Sequence, residues 1–136
     1  MNEPINWKDS YYISKDRIVL TSEQIHIPGV RIFGMHNMHS AVSPLMPHFH
    51  ENCIEVTFIT KGSVLFYAGD AEYKANGGDA FIAFANEVHS THETPMSVGE
   101  IYWLQLDISD SGHFLFLAFK EAKELISQIK KNESPV

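Results

Sequence analysis

The chain has 136 residues, 44% of them hydrophobic, and a formal net charge of −7. That length suits one domain with a sizeable core, and the acidic balance, with no Lys/Arg stripe, makes this chain a poor binder of nucleic acid on its own. No apolar run nears the ~18 residues of a membrane span, one cysteine (Cys53) can form no internal disulfide, and the N-terminus lacks a basic stretch followed by an apolar one, so a cytoplasmic location is expected.

Residues 1–15 read as an N-terminal arm anchored by Trp7, Tyr11 and Tyr12, either a docked tail or edge strand, or a lid over a ligand pocket. Arg17–Leu20 and Val30–Met35 are β-branched or apolar runs, the second opened by Pro28-Gly29. The stretch from His36 to Met46 reads as loop, with His36 and His39 as exposed polar residues. Then comes Pro47-His48-Phe49-His50-Glu51-Asn52-Cys53-Ile54-Glu55. His48 and His50 are two apart and share one face of an extended strand. A spacing of five would set His50 and Glu55 on opposite faces of a straight strand, so their convergence needs the turn that Glu51-Asn52 suggests.

Short strands follow at close intervals: Ile54–Thr60, Val64–Tyr67, Ala71–Lys74 and Ala80–Phe84, separated by Lys61-Gly62-Ser63, Ala68-Gly69-Asp70 and Asn76-Gly77-Gly78-Asp79. This cadence of strands and turns predicts an antiparallel sandwich or barrel. His89 lies beyond the last of these strands; His92, three further on, faces the other way on a strand and reads as a surface or rim residue. Glu100–Asp107 is a strongly β-favouring strand with Trp103 and Gln105 on one face and Tyr102, Leu104 and Leu106 on the other. Trp103 is suited either to the core or to stacking on a sugar or similar ligand. From His113 the period becomes helical, with Phe116, Phe119, Ala122, Leu125, Ile126 and Ile129 forming a stripe and a break expected near Phe119. The stripe would serve equally to cover the barrel or to pair with a second copy. Residues 132–136 read as a linker or tail. The domain plan is thus 1–15 arm, 16–110 barrel, 111–131 helical segment and 132–136 tail.

Two imidazoles and a carboxylate converging inside a barrel supply three ligands for a first-row metal, and His89 is a fourth candidate. The donor set of His48, His50, Glu55 and His89 suits Zn, Ni, Fe, Mn or Cu, and the residues do not choose among them.

These residues resemble the cupin family. Its first motif, His-x-His, three or four residues, Glu, six residues, Gly, is met by His48, His50, Glu55 and Gly62, although Val42 stands where an earlier Gly is expected. Its second motif is met by Gly78 and His89, while Phe84, Asn86 and Glu93 replace its Pro, Gly and Asn. Asn86 can still supply the left-handed turn of a Gly. The resemblance implies a mainly β fold, a cupin-type double-stranded β-helix or jelly-roll barrel with a C-terminal amphipathic helix or helices, and metal ligation at the four positions named.

The order of the arm, Pro-His-Phe-His-Glu, Gly-Asp-Ala-Phe-Ile-Ala-Phe, Tyr-Trp-Leu-Gln-Leu-Asp and helix over residues 10–130 resembles the N-terminal domain of AraC-type transcriptional regulators. What that implies is an effector-sensing and dimerisation domain, a small-molecule effector (often a sugar) in the barrel, and a homodimer made through the C-terminal helix. Contact with DNA would come only from a separate helix-turn-helix half outside these residues. Thr57, Tyr67 and Trp103 join the four ligand positions as barrel-facing candidates for the effector. Effector binding would favour one placement of the arm or helices and so bias the DNA-binding halves. The alternative is a stand-alone metal-dependent cupin enzyme, an isomerase, epimerase or dioxygenase. Beyond the ligands that reading has no evident acid/base except Tyr67 or Glu51, and it assigns no catalytic residue.

Overall fold

The structure, a computed structural model, describes residues 3–91, 96–97, 99–109 and 112–136. Short strands build two sheets. In chain order they are β1 (Ile5–Asn6), β2 (Tyr12–Ile13), β3 (Arg17–Thr21), β4 (Val30–Met38), β5 (His48–Phe49), β6 (Cys53–Lys61), β7 (Ser63–Ala68), β8 (Ala71–Asn76), β9 (Ala80–Ala83), β10 (His89–Ser90) and β11 (Gly99–Asp107). One sheet has the order β1-β5-β10-β7-β8 and the other β2-β3-β4-β11-β6-β9. Strands distant in sequence therefore lie side by side, as in a jelly roll. The helices are α1 (Ser22–Ile25), a single turn that the apolar pattern does not announce, and α2 (Phe119–Lys131), preceded by a 3-10 turn over Phe114–Phe116.

Alternation sets which side chains enter. Along β11 the buried residues are Ile101, Trp103 and Gln105, and along β6 they include Thr57 and Ile59, with Glu55 on the same parity. Gln105 lies opposite Glu55, and Trp103 opposite Thr57. Below that level the interior is packed: Val19, Ile32, Met38, Ile59, Val64, Phe66, Phe81, Ile101 and Trp103 belong to one cluster. Phe66 and Phe81 stack within it with ring centroids 4.2 Å apart. Gly34, the register partner of Trp103 on β4, has no side chain because the indole covers it; an added Cβ would collide with the ring.

The arm is docked. It gives a two-residue strand to each sheet, β1 running parallel to β5 and β2 antiparallel to β3. The stretch expected to be loop after Met35 continues as strand to Met38, because β11 pairs with it as far as Gly99 opposite Met38. His36 is therefore half-buried on β4 rather than exposed, and burial, helped by Arg17, lowers its pKa. His39 is exposed and pairs with Asp16 at 3.0 Å. His92 and the boundary between residues 110 and 111 lie outside the described residues.

The helix break expected near Phe119 sits between the 3-10 turn and α2. Ala122 and Ile126 of α2 are buried with Ile54, Ile108 and Phe114, and Leu125 and Ile129 pack against them. In this chain the apolar stripe covers the barrel. Among the described residues no helix is long and apolar enough to cross a membrane.

Candidate metal centre

The polar end of the interior holds three imidazoles. His48 lies on β5 directly opposite His89 on β10, and their ring centroids are 4.2 Å apart. His50 follows β5, 5.1 Å from His48 and 5.1 Å from His89. All three are buried, and their ligand atoms lie within 4.8 Å of one another. Glu55 closes the group: its Oε2 is 3.1 Å from His50 Nε2 and its Oε1 is 3.5 Å from His89 Nε2.

The turn that the spacing of five requires is present. Asn52 takes a positive φ of 57° and Asn86 one of 64°, a conformation that Asn tolerates better than most residues. The two are tied together, since Asn52 N–H donates to Asn86 Oδ1 at 3.0 Å. Asn86 N–H donates in turn to the carbonyl of His50 at 3.1 Å. Asn86 thus holds the His50 loop from below.

The rings are oriented by backbone carbonyls. His48 Nδ1 donates to Met46 O at 2.6 Å, His50 Nδ1 to Trp7 O at 3.1 Å, and His89 Nδ1 to Glu87 O at 3.2 Å. A carbonyl oxygen only accepts, so each Nδ1 carries a proton, and in the neutral ring the lone pair is then on Nε2. His50 Nε2 and His89 Nε2 are buried without a hydrogen-bond partner. Their approach to Glu55 is short, yet it lacks the alignment of a hydrogen bond. Buried polar atoms left in this way are rare and costly. Imidazoles that bind metal through Nε2 while donating Nδ1–H to a carbonyl are the usual arrangement of a His metal site, so the residues present fit a divalent cation.

The charge states of the metal-free rings differ: His48 is shifted toward the neutral form and His50 toward the protonated one. Burial, with the neighbouring His89 ring adding to it, pushes the His48 pKa down to about 4, which favours the neutral form that a metal needs. Burial works against charge on His50 too, but the contacts with Glu55 outweigh it and raise the pKa. Burial alone would raise the Glu55 carboxyl; His50 and His89 instead hold it well below the usual carboxylate range.

Sequence reasoning gave no role here to Asp9 or to Gln105. Gln105, 1% exposed, donates its Nε2 to Glu55 Oε2 at 2.7 Å and to Asp9 Oδ2 at 3.3 Å. Asp9 also accepts from Trp7 Nε1 at 2.9 Å and from Trp103 Nε1 at 3.4 Å. A cavity of about 420 Å³ opens beside this group, lined by Lys8, Asp9, Arg31, Glu51 and Gln105 among others.

Of the effector candidates, Thr57 and Trp103 share the interior face with Glu55 and Gln105, and both are buried. Trp103 belongs to the core and also reaches Asp9. Tyr67 is not brought to the centre. Its neighbours Phe66 and Ala68 pack in the core, so alternation sends Tyr67 to the opposite face of β7. The parity that makes Val64 and Phe66 core residues removes Tyr67 from the barrel interior.

A family model described as the AraC-like ligand binding domain matches residues 32–114, more than half of the chain. No curated protein matches the sequence. Among solved structures, a cupin protein from Bacteroides fragilis is similar with a TM-score of 0.55 at 13% identity, covering 75% of this chain and 86% of its own. A predicted oxalate decarboxylase from Thermotoga maritima is similar with a TM-score of 0.54 at 22% identity, covering 66% of this chain and 79% of its own. At these identities the likeness is one of fold.

Proposed function

Because the chain belongs to the AraC-like ligand binding domain family, and so to the cupin-fold proteins, we propose that it is the effector-sensing domain of a transcriptional regulator, with a small molecule (a sugar among the candidates) bound beside a divalent metal. The observation that carries this reading is the convergence of three carbonyl-oriented imidazoles on one point beside Glu55, with two Nε2 atoms left without hydrogen bonds. His48, His50, His89 and Glu55 would hold the metal, which, when bound, supplies a Lewis-acidic anchor for an oxygen of the effector. Zn, Ni, Fe, Mn and Cu all suit that donor set.

The chain's own residues do the rest. The carbonyls of Met46, Trp7 and Glu87 fix the rings, and Gln105 fixes the Glu55 carboxylate. One of these anchors, Trp7 O, belongs to the arm, so the site and the arm position share a hydrogen bond. A change at His50 therefore biases where the arm sits, which is the population shift that a sensor needs. DNA contact is assigned to a separate domain. Dimerisation is assigned to the start of the C-terminal helix: with Ala122 and Ile126 buried against the barrel, Phe116 and Phe119 remain 70% and 63% exposed. Sedimentation of Phe119→Glu against the parent protein tests this, and an unchanged dimer removes that end of the helix from the interface.

The sensor reading is preferred to a metal-dependent enzyme because the acid/base candidates are not at the centre. Tyr67 is on the outer face, and Glu51 is exposed, with its carboxylate bonded to Asn6 at 3.3 Å. Elemental analysis and thermal melting test the site. The expected result is a stoichiometric divalent metal that is lost in His48→Ala, together with lower stability in metal-containing buffer, and a melting shift with at least one compound of an effector panel. Metal content unchanged in His48→Ala removes that ligand, and a panel without any shift counts against sensing.

A further inference from the structure

Asp9, on the arm, is bonded to buried side chains of the barrel. Its carboxylate is set at the edge of the metal centre on donors that come from the barrel: Trp103 Nε1 at 3.4 Å and Gln105 Nε2 at 3.3 Å. Trp103 is 8% and Gln105 1% exposed. An indole N–H only donates, and the Gln105 amide already gives one hydrogen to Glu55 and turns the other outward, so this pair is built to meet an acceptor. Both bonds are long, near the outer end of the range for N–H···O, so the aspartate is held loosely there. Its tighter bond is to Trp7 of its own arm, at 2.9 Å. Beside it lies the cavity of about 420 Å³, lined by Arg31, Glu23 and Glu51 among others. Arg31 is held by Asp107 at 2.7 Å, and Lys8 would leave with the arm, so recognition of an acid falls to the Trp103 and Gln105 donors alone.

We propose that Asp9 occupies the seat of the effector's own carboxylate, and that the effector is a small hydroxy acid, sugar acids included. This inference rests on the sensor reading and names the ligand class of that site. A charged acceptor makes hydrogen bonds roughly twice as strong as a neutral hydroxyl does, which favours an acid over a neutral sugar at the Trp103–Gln105 donors. The same Gln105 nitrogen touches both Asp9 and Glu55. A carboxylate in the Asp9 position is thus one amide away from Glu55, and a hydroxyl on a neighbouring carbon would be directed toward the Glu55 carboxylate. Replacement is an exchange of like for like: one carboxylate leaves the donors with the arm and another arrives, so the charge of the buried group does not change.

Isothermal titration of the full chain, with metal content measured on the same samples, tests this using two matched pairs: D-glucuronate against D-glucose, and lactate against propane-1,2-diol. Asp9→Ala removes the internal competitor. The expected result is acid-selective binding that tightens about tenfold in Asp9→Ala, the factor for a site that Asp9 fills about nine-tenths of the time. Adding Trp103→Phe to Asp9→Ala keeps a ring but deletes the donor, and should lose roughly threefold to tenfold of the acid affinity with no effect on the neutral compounds. Equal binding of acid and neutral partner, acid binding that Asp9→Ala leaves unchanged or weakens, or no acid binding to either protein overturns the inference. If metal is stoichiometric in those samples, the sensor reading survives that failure. If the protein takes up no metal and binds none of the four compounds, both fall together.

Discussion

Replacing Gln105 by methionine keeps the length and volume of the side chain and removes both of its hydrogen bonds. The bond to Glu55 Oε2 is 2.7 Å long and buried; a hydrogen bond to a charged group contributes roughly 1.5–3 kcal/mol. The bond to Asp9 at 3.3 Å is longer and adds less. Against this, burying a thioether in place of an amide gains about 1 kcal/mol. The loss wins, because Glu55 Oε2 keeps no other neutral donor among the described residues, and the expected net cost in chelator is about 1–2 kcal/mol. For a domain of 136 residues that lowers the melting temperature by about 4–7 °C. The brace on the carboxylate proposed as a metal ligand is also gone, so metal affinity should fall about 10–100-fold. Urea unfolding with EDTA and a competition titration with a metal-sensitive dye read the two effects separately. Stability within about 0.5 kcal/mol of the parent and metal affinity within about twofold would refute the bracing role.

Acidification of the metal-free protein has a defined sign. The His48 pKa falls from 6.5 to about 4 on folding, so the unfolded chain takes up its proton first, and stability is lost as pH drops through that window by up to about 1.4 kcal/mol per pH unit. His50 is raised above 6.5; its contribution is complete below that pH and fades as pH rises through its folded value. Glu55, held low, contributes above the ordinary carboxylate pKa and is lost only in stronger acid. Denaturant melts in EDTA from pH 7 to pH 4 should show a slope that His48→Phe flattens, and parallel lines would count against the assignment. Cys53 is 0% exposed and burial pushes its thiol up to about 12, so iodoacetamide at pH 8 should label it only in denaturant; rapid native labelling would contradict its burial. Phe114, 1% exposed, joins α2 to the barrel, and Phe114→Ala should cost about 3–5 kcal/mol by equilibrium unfolding; a cost under about 1 kcal/mol would show that α2 does not depend on it.

The strands and the histidine cluster were legible because both depend on short-range order. Two-residue alternation places Trp103 and Gln105 on one face, and parity alone demands the Glu51-Asn52 turn. Asn86 was readable as a substitute for Gly, and it does take a positive φ of 64°. The ring of donors around Asp9 was not legible, since Asp9 and Gln105 are 96 residues apart and no local pattern joins them. The run past Met35 was misread as loop because its Ser-, Pro- and Met-containing sequence hid a strand that only β11 stabilises. The turn into α2 was equally hidden: His113, Leu115 and Phe116 all have positive φ without any glycine to signal it. Tyr67 was misplaced among interior residues although its parity with Phe66 was available.

β5 carries His48 between two neighbours of unequal strength. On one side β10 supplies His89; on the other the partner is β1, only Ile5 and Asn6 in parallel register, extended by Trp7 N–H to Phe49 O at 2.9 Å. Undocking of these few residues would turn the strand bearing the histidines into an open rim with unmet amide and carbonyl groups. Such a rim recruits any extended peptide, including another molecule of the same kind. The arm therefore doubles as a guard against self-association, and shortening it should make the protein sticky before it makes it unstable.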